Sequence, residues 1–243
     1  MRIWAFFCIL VIHGSLWAQR TTTYYDITTF GAVEGGEQLC TEAIQEAIDA
    51  CANAGGGQVY VPAGIFRTGT LIVKSNIDLH IESGGVLVGS SNMSDYDEQH
   101  PHLIYARDVT NFTLSGRGKI DGQARQFYTR GGTNWTPKQQ RPLPWIMIQN
   151  SKRIQIRDVL LSNTPSNAVV LIGSETVLID GITVENSKLS SASNGIDINN
   201  CKLVQLNNCF IRTGGDAITL QSTTSVVEQV IVTNCISSSE AAA

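Results

Sequence analysis

Short apolar strands recur in this chain at a nearly fixed interval, and that recurrence limits the folds open to it more than any other feature. Phe112-Thr113-Leu114, Ile154-Gln155-Ile156, Val177-Leu178-Ile179, Val204-Gln205-Leu206 and Val230-Ile231-Val232 occupy one phase, and their starts lie 42, 23, 27 and 26 residues apart. The first gap reads as long because residues 121–149 are inserted. Each of the last four is followed by a second strand: Val159-Leu160-Leu161, Ile182-Thr183-Val184, Cys209-Phe210-Ile211 and Cys235-Ile236. Units this short bury their apolar side only by stacking on the units before and after them. The expected fold is therefore all-β, a right-handed parallel β-helix in one domain over residues 19–243. A β-sandwich would match the strand density but not the phase-locked recurrence.

Both ends carry their own signals. Met1-Arg2, an apolar run from Ile3 to Ile12 and Gly14-Ser15-Leu16-Trp17-Ala18 make residues 1–18 a secretory signal, too short to span a bilayer. The mature protein is then expected to be secreted or periplasmic. Thr41 is placed to cap a helix with Ile44, Ala47, Ile48 and Cys51 on one face, ending at Gly55-Gly56-Gly57. That helix is expected to cover the first coil. The chain stops at Glu240-Ala241-Ala242-Ala243, directly after a strand and without the polar cap a solenoid needs. The expectation is a β-helix that is incomplete at its C-terminal end.

Charge and cysteine content exclude several classes. Lys and Arg total 17 against 21 Asp and Glu, without the clustered basic charge of a nucleic-acid binder. Cleavage after Ala18 leaves Cys40, Cys51, Cys201, Cys209 and Cys235. This odd count, without C-x-x-C spacing, argues against a zinc site and against a dense disulfide framework. Buried thiols are expected, with Cys209 and Cys235 stacked inward at equivalent places and a Cys40–Cys51 bridge left open. The protein is expected to be a monomer without cofactor, metal, nucleic-acid or membrane partner.

Chemistry concentrates between Ser193 and Leu220. Ser193-Asn194-Gly195-Ile196-Asp197 and Thr213-Gly214-Gly215-Asp216-Ala217-Ile218 each set polar residues at a glycine-containing turn ahead of a strand. Asn194 and Asp216 are one coil apart in sequence and are expected to stack at about the 4.8 Å spacing of paired strands. His80, His100 and His102 read as structural. Asn150, Asn200 and Asn208 read as turn residues whose stacked amides bond to backbone. Asn92-Met93-Ser94, Asn111-Phe112-Thr113 and Asn134-Trp135-Thr136 are glycosylation sequons.

Phe30-Gly31-Ala32-Val33, Ala54-Gly55-Gly56-Gly57, Val59-Tyr60-Val61-Pro62-Ala63-Gly64, Leu87-Val88-Gly89-Ser90 and Gly118-Lys119-Ile120-Asp121-Gly122-Gln123 occur in this order. Together they resemble the family 28 glycoside hydrolases, the polygalacturonases and their pectin-degrading relatives, from about Ile27 to the last residue. The resemblance implies a β-helix and inverting hydrolysis of galacturonosyl links by three aspartates. The family's Asn-Thr-Asp-Gly motif falls on Ala192-Ser193-Asn194-Gly195, and its Gly-Asp-Asp motif on Gly214-Gly215-Asp216. Asp216 thus falls on a base that activates water, whereas Asn194 replaces the other base and Gly215 the general acid. Asp197 is the nearby carboxylate that would compensate, or else a structural Asp accepting backbone N–H bonds in the turn.

The expected function is that of a secreted glycoside hydrolase acting on pectin-type uronate polysaccharides, with catalytic positions Asp216, Asp197 and Asn194. Its alternative is a catalytically inactive carbohydrate-binding β-helix. A calcium-dependent lyase with Arg212 as base is a third reading, against which stands the lack of a dense acidic cluster. Arg212, Arg141, Arg130 and Lys138 are candidates for pairing with uronate carboxylates. Trp135, Phe127, Tyr128 and Trp145 are candidates for stacking on sugar rings or for packing the insertion onto the coils.

Overall fold

A computed structural model describes residues 24–131, 134–186 and 193–239. The secretory segment expected at residues 1–18 lies outside them. Each coil gives one strand to each of three parallel sheets, which hold eight, seven and six strands among the described residues. The fold is the expected right-handed parallel β-helix. The recurring phase seen in the sequence is one register column of the first sheet: Phe112, Ile154, Val177, Val204 and Val230 face one another on successive coils. Ile120, Leu161, Val184 and Ile211 form the matching column of the second sheet. Ile104, Ile146, Val169 and Ile196 do so in the third. These side chains point inward and are buried, up to the last coil, where Val230 is only half-buried.

The helix Thr41–Asn53 buries Ile44, Ala47, Ile48 and Cys51. These residues face the first coil because their spacing of three and four keeps them on one side of a 3.6-residue turn. Its N-cap is Cys40 rather than Thr41. The Thr41 hydroxyl instead accepts the Gly69 N–H at 2.7 Å, tying the helix to a coil corner.

Residues 121–149 are not one insertion. Lys119–Asp121 and Ile146–Gln149 are strands of the second and third sheets. The inserted part lies between them and contains the antiparallel hairpin of Tyr128–Gly131 and Asn134–Pro137. Ile146–Gln149 follows a polar, Pro-rich run, which made a continuous insertion the simpler reading. Phe127, Tyr128 and Trp145 are buried, so of the two roles open to them they pack the insertion onto the coils.

Corners are built from backbone of left-handed conformation. Asn76, Asn111, Arg153, Thr176, Leu203 and Gln229 each lie at φ between 55° and 64° at the start of a first-sheet strand. Asp108, Asn150, Gly173 and Asn200 form a second such column, and Asp158, Gly181, Asn208 and Asn234 a third. Asn150, Asn200 and Asn208 therefore do not form one amide stack. Asn200 caps a turn of the next coil, its Oδ1 accepting N–H bonds from Thr223, Thr224 and Ser225 at 3.0, 3.2 and 3.1 Å.

All five described cysteines are free thiols, so the open Cys40–Cys51 bridge is not formed. Burial pushes the Cys209 thiol up to about 12, with the Cys235 thiol on the next coil adding to the effect. Burial alone takes Cys51 to about 11.

Two outcomes follow from this arrangement. A buried thiol whose pKa is raised holds little thiolate at pH 8, so a thiol-specific reagent is expected to label half-buried Cys235 first and to reach Cys209 and Cys51 only on unfolding, as read by mass spectrometry of quenched digests. A β-branched residue in left-handed backbone is strained. Thr176→Asn is thus expected to raise the free energy of urea unfolding by about 0.5–1 kcal/mol.

Candidate active site

The corner between the second and third sheets carries Asn167, Asn194 and Asp216 on three successive coils, each two residues ahead of a third-sheet strand. Main-chain bonds between coils fix them side by side: Ala168 N–H donates to Asn194 O at 2.9 Å, Gly195 N–H to Asp216 O at 2.8 Å, and Gly215 N–H to Ser193 O at 2.9 Å. The amide side chains continue the pattern. Asn167 Oδ1 accepts the Asn194 N–H at 3.0 Å, and Asn194 Oδ1 accepts the Asp216 N–H at 2.9 Å.

Asp197 lies in the strand Ile196–Asn199, with Ile196 and Ile198 buried on either side of it, and is itself only 8% exposed. Its carboxylate receives Asn167 Nδ2 on Oδ2 at 2.5 Å and Asn194 Nδ2 on Oδ1 at 2.8 Å, together with the Thr219 hydroxyl on Oδ1. The donors are side chains on its own and both neighbouring coils, where the sequence suggested backbone N–H groups of one turn. A buried carboxylate is tolerable when its lone pairs are filled in this way. Asn167 and Thr219 escaped the sequence reading. The signal that would have found them is coil equivalence, since Asn167 sits one repeat before Asn194 and Thr219 one repeat after Asp197.

Asp216 differs. It is exposed, and among the described residues its carboxylate has no hydrogen-bond or ion-pair partner. Thus the structure brings Asn194, Asp197 and Asp216 together through Asn194, which bonds to both of the others.

The remaining candidates stand elsewhere. Arg212 is exposed on the second-sheet strand Phe210–Thr213, its guanidinium 5.7 Å from the Phe210 ring centre. Trp135 lies on the hairpin opposite Arg130, 5.9 Å from its guanidinium. Arg141 donates from Nη1 to Lys138 O at 2.8 Å, while Lys138 donates to Gln126 O at 2.8 Å. None of Arg212, Trp135 and Arg141 bonds to the Asn194, Asp197 or Asp216 side chain. The three described histidines are held within the scaffold. His80 pairs with Ser115 Oγ at 2.8 Å and stacks on Tyr60, His100 pairs with Asp97 at 3.1 Å, and His102 reaches Pro144 O at 2.9 Å. Of the sequon residues, Asn92 caps Ser94 N–H at 3.2 Å and Asn111 bonds Asn76 and Arg153; the Asn134 side chain lies outside the described set.

Among the described residues, no group of three or more His, Cys, Asp or Glu side chains is placed to hold a metal ion. No described helix is long and apolar enough to cross a membrane.

A family model described as "Glycosyl hydrolases family 28" matches residues 51–239. A Vitis vinifera protein named "Probable polygalacturonase" is 30% identical over 218 residues, which cover 81% of this chain and 44% of that protein. The exo-poly-alpha-D-galacturonosidase of Dickeya chrysanthemi is 24% identical over 249 residues, covering 79% of this chain and 41% of the relative. The chain therefore spans about two-fifths of the length of these curated relatives. The crystal structure of the Thermotoga maritima exopolygalacturonase superposes with a TM-score of 0.79 at 21% identity, over 90% of this chain and 61% of that one.

Removing the Asp197 carboxylate leaves the Asn167, Asn194 and Thr219 side-chain donors without their acceptor. Asp197→Ala is expected to lower the free energy of urea unfolding by about 3 kcal/mol, and Asp197→Asn by less, because one acceptor oxygen remains. A loss below about 1 kcal/mol for the alanine variant would show that this carboxylate does not organise the corner.

Proposed function

Because the chain belongs to the family 28 glycosyl hydrolases, we propose that it acts on pectin-type uronate polysaccharides as a secreted or periplasmic glycoside hydrolase, with Asp216 as the base that activates water. One observation carries this reading: at a corner where every other polar side chain described above is tied into the scaffold, the Asp216 carboxylate is exposed and without a partner. Its lone pairs are open to a water molecule. Taking a proton from that water as it attacks the anomeric carbon is general-base catalysis, worth about 10²–10⁴ in rate.

The leaving oxygen is the weaker half of the reaction. Inverting hydrolysis ordinarily places a protonated carboxyl some 6.5–9.5 Å from the base. Gly215 carries no side chain, and the oxygens of Asp197 are filled by Asn167, Asn194 and Thr219. Asn194 and Asp197 thus enter this reading as groups that shape the site rather than as proton donors. Arg212 and Arg141 would pair with substrate carboxylates through the bidentate geometry of the guanidinium, and the Trp135 ring would offer an apolar face to a sugar. The reading takes residues 19–243 as one β-helix domain that works as a monomer and without a cofactor.

A second reading, a non-catalytic carbohydrate-binding β-helix, is favoured by the same two facts about Gly215 and Asp197. Polygalacturonate digestion separates the two. Hydrolysis is expected to release new reducing ends, at a rate that falls at least about a hundredfold in Asp216→Ala. Equal rates in that variant would remove Asp216 from the mechanism, whereas saturable binding with no product over long incubation would select the binding reading.

A further inference from the structure

We infer that Asn167 and Asn194, tied together by the Asp197 carboxylate, form a side-chain relay that positions the main chain carrying Asp216, and that glycine at 215 is what makes room for it. Each carboxamide uses both ends. Its oxygen takes the N–H of the equivalent residue on the next coil, at 3.0 Å from Asn167 and 2.9 Å from Asn194. Its nitrogen donates to Asp197, at 2.5 and 2.8 Å. An ionised carboxylate only accepts, so Asp197 fixes which end of each amide faces it, and the oxygens are left pointing at the next coil. Thr219 closes the same carboxylate from the following coil. The chain of contacts therefore runs from Asn167 through Asp197 and Asn194 to Asp216, although Asn167 and Asp216 are two coils apart.

Gly215 is the other half of the device. A Cβ built on it would lie 2.5 Å from Asn194 Oδ1 and 2.9 Å from Ser193 O. The amide would have to swing away, giving up the Asp216 N–H. The Ser193 carbonyl, to which the Gly215 N–H is bonded, would have to give as well, so a side chain at 215 opposes the bonded orientation of Asn194. The relay residues are positioning residues, since they act through the backbone of Asp216. Their consequence for activity rests on the proposed role of Asp216, but the relay itself does not.

Amide hydrogen exchange of the full, ¹⁵N-labelled chain, read by NMR without substrate, tests it. Asn194→Ala is expected to speed exchange of the Asp216 amide roughly tenfold. Asn167→Ala, which removes no atom in contact with Asp216, is expected to speed both the Asn194 and Asp216 amides while leaving Ile179, in the first sheet, unchanged. Asn167→Asp keeps an acceptor for Asn194 N–H but loses the donor to Asp197, and is expected to act in the same direction if the alanine variant does not fold. Gly215→Ala is expected to speed the Asp216 amide, and to lower Tm less in an Asn194→Gly background than alone. Unchanged Asp216 exchange in both Asn167 variants overturns the relay, and unchanged exchange in Gly215→Ala overturns the opposition. In turnover, Asn167→Ala is expected to lower kcat with KM retained. If Asp216→Ala leaves hydrolysis intact while the exchange pattern holds, the catalytic reading falls and the relay stands.

Discussion

Every feature of this molecule depends on one constraint: no coil can bury its own interior. A rung of three short strands has an apolar side that finds partners only on the rungs above and below, through parallel hydrogen bonds that hold Phe112, Ile154, Val177 and Val204 in line. Stacking converts positions separated by a whole repeat in sequence into neighbours in space. The Asn167, Asn194 and Asp216 corner is a case of that conversion, assembled from three places that share nothing locally except their position in the repeat.

The same constraint explains what could be read in advance. The first-sheet column was legible because Ile154, Ile156, Val177 and Ile179 alternate with outward residues at period two and are bounded by turn residues. The face of the capping helix was legible from the spacing of Ile44, Ala47, Ile48 and Cys51. Ile146–Gln149 is hard to tell from the insertion because a strand of four residues carries little signal after a polar, Pro-rich loop. At the corner, Asn194, Asp197 and Asp216 were visible as polar residues near glycine. Asn167 and Thr219 were not, because coils of unequal length hide which residues are equivalent, and a hydrogen bond between side chains of different coils leaves no local pattern. The exchange of backbone donors for side-chain donors around Asp197 has the same origin.

Two carboxylates one coil apart show how far environment separates like residues. Asp197 lies within a strand, flanked by buried isoleucines and saturated by three donors, whereas Asp216 lies at a turn facing solvent with no partner among the described residues. The first has the attributes of a fixed acceptor that holds amides in one orientation. The second keeps its lone pairs available. Chemical type alone would not distinguish them, and the neighbouring coils do.

The inserted hairpin and the segment Ser90–Leu103 both leave the solenoid between a second-sheet and a third-sheet strand, and they rejoin it without disturbing the alignment of Ile104 with Ile146. Lengthening such a connection costs little, about 0.6 kcal/mol per doubling of loop length. This edge of the molecule is therefore a place where walls can be grown or trimmed almost independently of the rungs that carry them, so lineages sharing this scaffold can reshape the approach to the Asp216 corner while inheriting its foundation unaltered.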